Sequence, residues 1–525
     1  MTKIRIFKTK FIPHITWDGP LQLQFSFMSV NGLPQSEALS RYSRIMKQVV
    51  KYFLAAAIAL AVYYIFSAGW VGYQALSLKA ELNSLKREIH SGETINYESQ
   101  ENARIDKSIV DLKSTLTNPF WRPITNRFLK DPQKEIILME QLVKVAPSVM
   151  GSQSPKKYLI AFQNSAESRG TGGILGAYAE IQVYHGAITV LKQGSNVGLK
   201  SLNDIPIAMP AEYSDLYGSD PAIWQNSNES PHFPYAAQIW SALWERQFHE
   251  KLDGVIATDP ETLSYVLTVI GPVTLASGEV IDSTNVVSKT LSTAYQRFAT
   301  DNLARKQYLV DVMKAVMNKL VAGHYSKIQL IKVLQTPLLE NRILMSLSDP
   351  GDQSVIAPTA ISGVLSNSVN NEYRVVLINT SGNKLDYYLR KVMKIESVSC
   401  KRPGTTKITA TITNSLTNTN GLPDYVVGRL DLHLPHGAKG RDGFLVLIYG
   451  PTGAAGTSVL RSDPSQVEPQ IASERGRPIA YFRTDLAEGA SETYTVGFSG
   501  GTGPITYVKQ PLVAPEAVTI HDGCS

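Results

Sequence analysis

The chain has 525 residues, of which 43% are hydrophobic and 18% are charged, and its formal net charge at pH 7 is +6. Because much of this modest charge lies in the first 51 residues, the remainder is close to neutral, which argues against a nucleic-acid partner. The length and the hydrophobic content are sufficient for two or more domains.

The first predicted element is a membrane-spanning helix over residues 52–76, which contain no Asp, Glu, Lys, Arg or His. At about 1.5 Å per residue this stretch can cross a hydrocarbon core of about 30 Å, whereas a buried core helix is usually shorter and carries polar residues on one side. Residues 1–51 hold eight Lys and Arg against Asp18 and Glu37. Because cationic flanks stay inside, the sequence predicts a cell-membrane protein with a basic cytoplasmic segment, 1–51, and an extracytoplasmic bulk.

After the span, apolar residues recur at helical spacing, as at Leu78, Leu82, Leu85 and Ile89. Such residues form one apolar stripe along a helix. We therefore expect a helical stalk over residues 77–150, which could pack on itself or join two copies of the chain into a homo-oligomer.

Strands and helices alternate from about residue 151 to residue 394. YLIAFQN, from Tyr158, and the segment Ile174–Tyr184 have the composition of strands, and KLDGVIATDPETLSYVLTVIGPVTL alternates strand, helix and strand. Asp259 followed by Pro is a typical helix start, since Asp caps the first turn and Pro fits into it. This pattern predicts an α/β or α+β domain with a central sheet over residues 151–394.

Residues 395–525 are richer in β-branched residues, in runs such as TKITATITN and YVVGRLDLHL that Gly, Pro, Asn and Asp separate. This pattern predicts an antiparallel β-sandwich. Cys400 and Cys524 are the two cysteines of the chain. In an oxidising exterior such a pair favours a disulfide that joins both ends of this domain, because a zinc site would need further ligands at suitable spacing.

The turn between the first two predicted strands combines charge with glycine in the segment AESRGTGG. Consecutive flexible positions can present backbone N–H groups, together with Arg169, to an anion. The alternative is a glycine-rich hairpin turn in which Glu167 and Arg169 are solvated charges. The candidate catalytic residue here is Arg169, and the candidate ligand-binding residues are Asn164, Glu167, Thr171, Gly172 and Gly173.

A second charged pattern lies in a segment predicted to be helical from residue 283 to about residue 320. It places Arg297, Asp301 and Arg305 at steps of four. Side chains at this spacing line one helical face, so that cation, anion and cation would stack in line as further candidate catalytic residues. The alternative is an ordinary exposed ladder of ion pairs.

Three segments between residues 158 and 274, FQNSAESRGTGGILGAY, NESPHFPYAAQIW and LDGVIATDPETLSYVLTVIGPV, resemble the bacterial family catalogued as domain of unknown function 4012. The resemblance extends to NKLDYYLRKVM at residues 383–393. It implies a single-pass envelope protein of Gram-positive or related bacteria, with a β-rich domain at the C-terminus.

That family is distantly similar to the LytR-CpsA-Psr proteins, which are membrane-anchored phosphotransferases that move glycopolymers from a polyprenyl pyrophosphate lipid onto peptidoglycan. Arg169 would match the arginine of their Arg-x-Asp turn. Their R-x-R, D-x-x-x-R and R-Q-Q elements are echoed by Arg297, by Asp301 with Arg305, and by Lys306-Gln307. The chain departs from the pattern at Thr171, which replaces the Asp of that turn, and it lacks a matching Pro-Arg-Asp element.

The resemblance implies that Arg169, Arg297 and Arg305 bind the pyrophosphate of a lipid-linked sugar polymer, because guanidinium groups match phosphate oxygens bidentately. Asp301 would hold a Mg²⁺ ion or take the proton from an acceptor sugar hydroxyl. The expected partners are the membrane, a polyprenyl-pyrophosphate-linked glycan and peptidoglycan. The alternative is a non-catalytic envelope protein that binds glycan or organises polysaccharide export.

Overall fold

The computed structural model describes residues 141, 144–367, 371–399, 404–432, 438–461, 469–501 and 503–523. The predicted cytoplasmic segment and membrane span, most of the predicted stalk, and both cysteines lie outside these residues. Residues 144–149, at the end of the predicted stalk, are helical. In the part of the chain that the structure describes, no helix combines the length and the hydrophobicity that crossing a membrane requires.

The first half of the described chain is built on a five-stranded sheet with a small two-stranded sheet beside it. The strands are β1 (Lys156–Arg169), β2 (Gly172–Tyr184), β3 (Ala187–Ser195), β4 (Gly254–Thr258), β5 (Val273–Thr274), β6 (Val280–Ile281) and β7 (Leu344–Leu347). The order in the large sheet is β3-β2-β1-β4-β7, with β1 parallel to β4 and the other neighbours antiparallel. Residues of β1 alternate between faces, so Leu159 enters one apolar core and Tyr158 the other.

Helices cover both faces of this sheet. The helices are α1 (Ala211–Tyr217), α2 (Phe233–Phe248), α3 (Pro260–Ile270), α4 (Val286–Ser288), α5 (Ala294–Arg297), α6 (Asn302–Ala322), α7 (Lys327–Leu339) and α8 (Pro350–Ile356), with a π-helical turn at Lys289–Thr293. On one face α2 contributes Trp240 and Trp244, and on the other α6 contributes Met313. Asp259 caps α3 by accepting the N–H of Thr262, as predicted. The predicted mixed α/β architecture is therefore confirmed.

The second half is a β-sandwich of two five-stranded sheets. It is built from β8 (Glu372–Asn379), β9 (Leu389–Ser399), β10 (Thr405–Asn414), α9 (Asp424–Val427), β11 (Asp442–Tyr449), β12 (Ala455–Arg461), β13 (Gln470–Glu474), β14 (Arg477–Leu486), β15 (Ser491–Ser499), β16 (Thr506–Tyr507) and β17 (Ala517–His521). The sheet orders are β12-β15-β10-β9-β17 and β13-β14-β11-β8-β16. Most neighbours are antiparallel, as predicted, but β16 and β17 run parallel to β8 and β9.

One sheet of the sandwich is buried on both faces. Its strand β11 reads DGFLVLIY and is buried along its whole length, without the alternation of a half-exposed strand such as β10. Phe444 faces the core between the two sheets, whereas Leu445 faces the core around α2. The two halves therefore share a hydrophobic core. The predicted boundary between residues 394 and 395 lies inside β9, a strand of the sandwich.

Candidate functional site

The glycine-rich segment of the sequence is a buried hairpin turn between β1 and β2, in which Arg169 pairs with Gly172. All residues from 163 to 173 are buried. A Cβ atom on Gly170 would lie 2.1 Å from the carbonyl oxygen of Glu229, and one on Gly173 would lie 2.1 Å from that of Asn164. Glycine is needed here because other backbone segments approach closely. The turn is therefore neither an open anion cradle nor a pair of solvated charges.

Thr171 is held by an amide network. Asn228 Nδ2 donates to Thr171 Oγ1 at 2.8 Å, to Gln163 Oε1 at 2.7 Å and to the carbonyl oxygen of Gly173 at 2.9 Å. The Thr171 hydroxyl donates to Gln163 Oε1 at 2.8 Å. These bonds pin the turn to the loop that contains Asn228, so the structure gives Thr171, Gly172 and Gly173 a structural role.

Arg169 is buried, and its two terminal nitrogens bind within the protein, while Nε has no hydrogen-bond partner among the described residues. Its Nη1 donates to the carbonyl oxygens of Ser168, at 2.9 Å, and Asn379, at 3.2 Å. Its Nη2 donates to Asn226 Oδ1 at 2.8 Å and pairs with Glu167 Oε1 at 3.0 Å. Because both terminal nitrogens are engaged, Arg169 positions Glu167 and the backbone of β8.

Glu167 accepts from two cations that lie far apart in sequence. Arg169 pairs with one carboxylate oxygen and Lys384 Nζ with the other. Burial raises the pKa of Glu167, but the positive charges of Lys384 and Arg169 outweigh burial and hold the pKa below its ordinary value. Glu167 is therefore ionised inside the protein.

Arg305, near the start of α6, packs against two tyrosine rings whose centroids are 5.9 Å apart. Its guanidinium carbon is 4.6 Å from the ring centroid of Tyr295 and 5.7 Å from that of Tyr425. Nη2 donates to Asn302 Oδ1, while Nε is buried and has no hydrogen-bond partner among the described residues. The Tyr295 hydroxyl accepts from Asn164 Nδ2 at 2.6 Å, which links this stack to the end of β1.

Lys306 follows Arg305 and is also mostly removed from water. Its Nζ donates to Asn196 Oδ1. Burial, the positive charge of Arg305 and that of Lys384 lower the pKa of Lys306 to about 8. Lys306 also lines an open depression of about 520 Å³ at the end of β3. The exposed side chains of Val197 and Leu303 line the same depression.

These side chains form one group with an excess of positive charge, which we call the Glu167 cluster: Glu167, Arg169, Arg305, Lys306 and Lys384. Glu167 is the one carboxylate that forms an ion pair with any of the four cations within the described residues. The charge of Glu167 also acts on Lys306. Four cations around one carboxylate leave the cluster suited to an anion.

Arg297 and Asp301 do not join Arg305 on a helical face, so the predicted stack of three charges is not formed. The helix α5 ends at Arg297, and α6 begins at Asn302 after a break. Asp301 is the N-cap of α6, where its Oδ1 accepts the N–H of Ala304 at 2.9 Å. Arg297 is 48% exposed at its side chain and pairs with Glu279 Oε2 at 2.6 Å. An Asp at the break favours capping over continuation of the helix.

The predicted Mg²⁺ ligand set does not fit this site. Asp301 uses one carboxylate oxygen as a helix cap, and both oxygens of Glu167 receive cationic donors. Within the described ranges, no group of three or more His, Cys, Asp or Glu side chains is arranged to hold a metal ion. Mg²⁺ prefers several oxygen ligands in octahedral geometry, which these residues do not offer.

A buried pair of carboxyl groups joins the cluster to the sandwich. Asp386 accepts the backbone N–H of Ser168, between Glu167 and Arg169. Asn379 Nδ2 donates to Asp386 Oδ1 at 3.0 Å and to Asp442 Oδ1 at 3.2 Å. Burial raises the pKa of both groups, and the charge of Asp386 raises that of Asp442 further, well above its ordinary value. The pair therefore retains a proton that a solvated pair would lose.

Three residues of this site were not predicted from the sequence: Lys384, Tyr295 and Tyr425. Lys384 lies in NKLDYYLRKVM, which the family resemblance includes, but no local pattern marks it as a partner of Glu167. Tyr295 follows the π-helical turn, a rare element that often accompanies functional sites but has no clear sequence signal. Tyr425 lies in the sandwich half, where no site was expected.

The comparison with protein families gives one match. Residues 153–295 match the family model described as Protein of unknown function (DUF4012). This range includes β1, β2 and α3, so the predicted resemblance is confirmed for this part of the chain, while residues 383–393 lie outside the match. No curated protein sequence matches the chain.

Two solved structures resemble the chain at low identity. The gbs0355 protein from Streptococcus agalactiae is 14% identical, with 42% of this chain and 76% of that chain covered and a TM-score of 0.25. The Lin1025 protein from Listeria innocua is 13% identical, with 42% of this chain and 85% of that chain covered and a TM-score of 0.21. TM-scores at this level do not define a common fold.

Proposed function

We propose that the protein is a membrane-anchored component of the cell envelope that binds the pyrophosphate group of a lipid-linked glycopolymer at the Glu167 cluster. The observation that carries the proposal is the charge balance of this cluster, in which Arg169 and Lys384 pair with Glu167 while Arg305 and Lys306 form no ion pair within the described residues. Pyrophosphate supplies the negative charge and the acceptor oxygens that the cluster lacks.

Because the Glu167 cluster is buried, its excess positive charge destabilises the folded protein when no anion is bound. Arg305 is 5% exposed, and among the described residues no carboxylate pairs with it. A buried cation loses its hydration, and the loss is offset when an anion supplies charge-assisted hydrogen bonds. Burial lowers the pKa of Lys306, and Arg305 and Lys384 lower it further because both disfavour the protonated form of Lys306. An anion beside these groups would raise that pKa again.

The membrane anchor belongs to the proposal because of where such a ligand resides. A polyprenyl chain keeps the pyrophosphate at the surface of the bilayer, and the apolar segment at residues 52–76 would hold the site near that surface. The cationic residues before this segment would keep the N-terminus in the cytoplasm. The similarity to LytR-CpsA-Psr proteins supports the same class of ligand.

Transfer of the polymer to peptidoglycan is a second candidate, which the resemblance to LytR-CpsA-Psr proteins favours. In this reaction an acceptor hydroxyl attacks the phosphorus next to the sugar, and the bond from that phosphorus to the bridging oxygen breaks. Polyprenyl phosphate leaves, and the released phosphate group takes up the hydroxyl proton. The alternative is retention of the polymer without reaction, as in a binding or export-assembly protein.

The test measures binding by the full-length protein in detergent micelles. We expect calorimetric titration to detect binding of inorganic pyrophosphate and of farnesyl pyrophosphate, a short polyprenyl analogue. Arg305→Gln and Lys306→Gln should each weaken binding about ten-fold or more, because each removes a charged donor. Arg297→Gln is the matched control, since Arg297 is exposed and pairs with Glu279, and it should bind like the wild type.

Equal binding by the wild type and by both cluster variants would overturn the proposal, as would an equal loss in Arg297→Gln. Thermal unfolding of each variant shows whether the fold is retained. Incubation of the wild type with lipid-linked glycan and peptidoglycan separates the two candidates, because transfer releases polyprenyl phosphate and binding does not.

A further inference from the structure

The Arg305 guanidinium and the Tyr425 side chain that contacts it each have a buried hydrogen-bond donor that lacks an acceptor. Arg305 Nε is buried without a hydrogen-bond partner, and the hydroxyl of Tyr425 is buried with no acceptor for its proton, within the part of the chain that the structure describes. The two side chains are in contact, with the Arg305 guanidinium 5.7 Å from the ring centroid of Tyr425. Native proteins rarely leave two adjacent donors unsatisfied, so this pair points to an acceptor that a ligand supplies.

The two donors come from different halves of the molecule. Arg305 belongs to α6 of the α/β half, and Tyr425 to α9 of the sandwich half. Tyr295 lies beneath the guanidinium and is 1% exposed, whereas Tyr425 is half-buried. Burial raises the pKa of Tyr425 above its ordinary value, although the charge of Arg305 and a hydrogen bond from Arg305 to the hydroxyl oxygen lower it in part, so the hydroxyl keeps its proton and remains a donor. Tyr425 is thus the more exposed of the two rings that contact the guanidinium.

We propose that Tyr425 is a ligand-contact residue, whose O–H donates to the same ligand oxygen as Arg305 Nε–H. The ligand is the pyrophosphate of the proposed function, on which this inference rests. The sandwich half then contributes two groups to the site, Tyr425 and the Lys384 ammonium that pairs with Glu167. Both groups lie outside the range 153–295 that matches the family model. The site is therefore complete when both halves are present.

The test compares two substitutions of Tyr425 in the full-length protein in detergent micelles, with inorganic pyrophosphate as the probe. Tyr425→Phe keeps the ring over Arg305 and removes the donor, and it should weaken binding about ten-fold. Tyr425→Leu also removes the stack and should weaken binding further. Tyr388→Phe is the control, because Tyr388 packs in the same apolar cluster without contacting Arg305, and it should bind like the wild type.

A double variant shows whether Tyr425 acts on the ligand or only on the fold. If both donors bind one oxygen, the loss from Tyr425→Phe should be smaller in the Arg305→Gln background than in the wild type. Wild-type affinity in Tyr425→Phe, with lost affinity in Arg305→Gln, would overturn this inference and leave the proposed function standing. Absence of pyrophosphate binding by the wild type would overturn both.

Discussion

Several ionisable residues of this protein are buried beside partners that lie far away in the sequence. The charges of these partners decide whether each residue is protonated. Glu167 receives two cations and is ionised, whereas burial raises the pKa of Asp386 and of Asp442, and the charge of Asp386 raises that of Asp442 further. The positive charge of Arg429 offsets this effect on Asp442 in part. Asp442 Oδ2 has no hydrogen-bond partner within the described residues. The carboxyl pair therefore lowers the free energy of unfolding at pH values at which both groups tend to ionise.

This imbalance predicts that Asp442→Asn stabilises the protein at high pH. A carboxyl group with a raised folded-state pKa stabilises the fold below its unfolded-state pKa, and this contribution is lost as pH rises through the folded-state pKa. An amide donates to Asp386 without a titrating proton. The melting temperature of Asp442→Asn relative to the wild type should therefore be higher at about pH 8 than at about pH 5.

Calorimetric unfolding at both pH values measures this difference. Asp204→Asn is the control, because Asp204 is exposed, and its melting temperature relative to the wild type should change little between the two conditions. A difference for Asp442→Asn that shrinks or reverses as pH rises would contradict the assignment of a shared proton.

At the scale of secondary-structure elements, two local features decide which charges meet. The hairpin turn between β1 and β2 is pressed against the loop that contains Glu229, so Arg169 is directed to β8. The break between α5 and α6 separates Arg297 from Arg305, and Asp301 stabilises that break as a helix cap. The charge pattern at steps of four would have required one continuous helix.

The packing of the turn predicts that Gly170→Ala is strongly destabilising. The new Cβ atom would lie 2.1 Å from the carbonyl oxygen of Glu229 and 2.4 Å from the carbonyl carbon of Ser230, and neither backbone atom can rotate away. We expect a loss of about 3 kcal/mol or more in the free energy of unfolding, measured by denaturant titration. Gly198→Ala is the control, since no atom lies within 4 Å of its Cβ position. A loss as small as in the control would refute the close approach.

At the scale of the whole molecule, the sandwich is an integral part of the fold. Its central sheet has one face in the sandwich core and the other in the core around α2. Its C-terminal segment is held by a fully buried ion pair, in which Lys391 Nζ lies 2.9 Å from Glu516 Oε1. Removing one partner of such a pair leaves an uncompensated charge, so this contact fixes the path of the last strand.

The predicted disulfide between Cys400 and Cys524 stays a prediction, because both cysteines lie outside the described residues. The strand β17 runs parallel to β9, and Ser397 donates to Asp522 Oδ1 at 2.9 Å, just before both cysteines in sequence. A bridge closing a loop of this size contributes about 4 to 5 kcal/mol in the chain-entropy model. Non-reducing peptide mapping should recover the linked cysteine peptides, and reduction should lower the melting temperature. Alkylation of both cysteines without prior reduction would disprove the bond.

Much of the architecture could be predicted because burial and local steric preferences produce periodic patterns of residue types in the sequence. The β-branched run TKITATITN indicated a strand, and Asp259 before Pro indicated the start of α3, as observed. The candidate site was predicted only in part. Glu167, Arg169 and Arg305 lie in the cluster, but the Arg297 side chain pairs with Glu279, the Asp301 side chain caps α6, and the glycines serve packing.

The sequence by itself determined the elements, because a backbone conformation depends on neighbouring residues and on a repeat of two or about four positions. Only the tertiary structure decided which charges share the site. Lys384 meets Glu167 across 217 positions, and Tyr425 reaches Arg305 from the other half of the molecule. Such contacts follow from the packing of sheets on a shared core, which has no local signature in the chain.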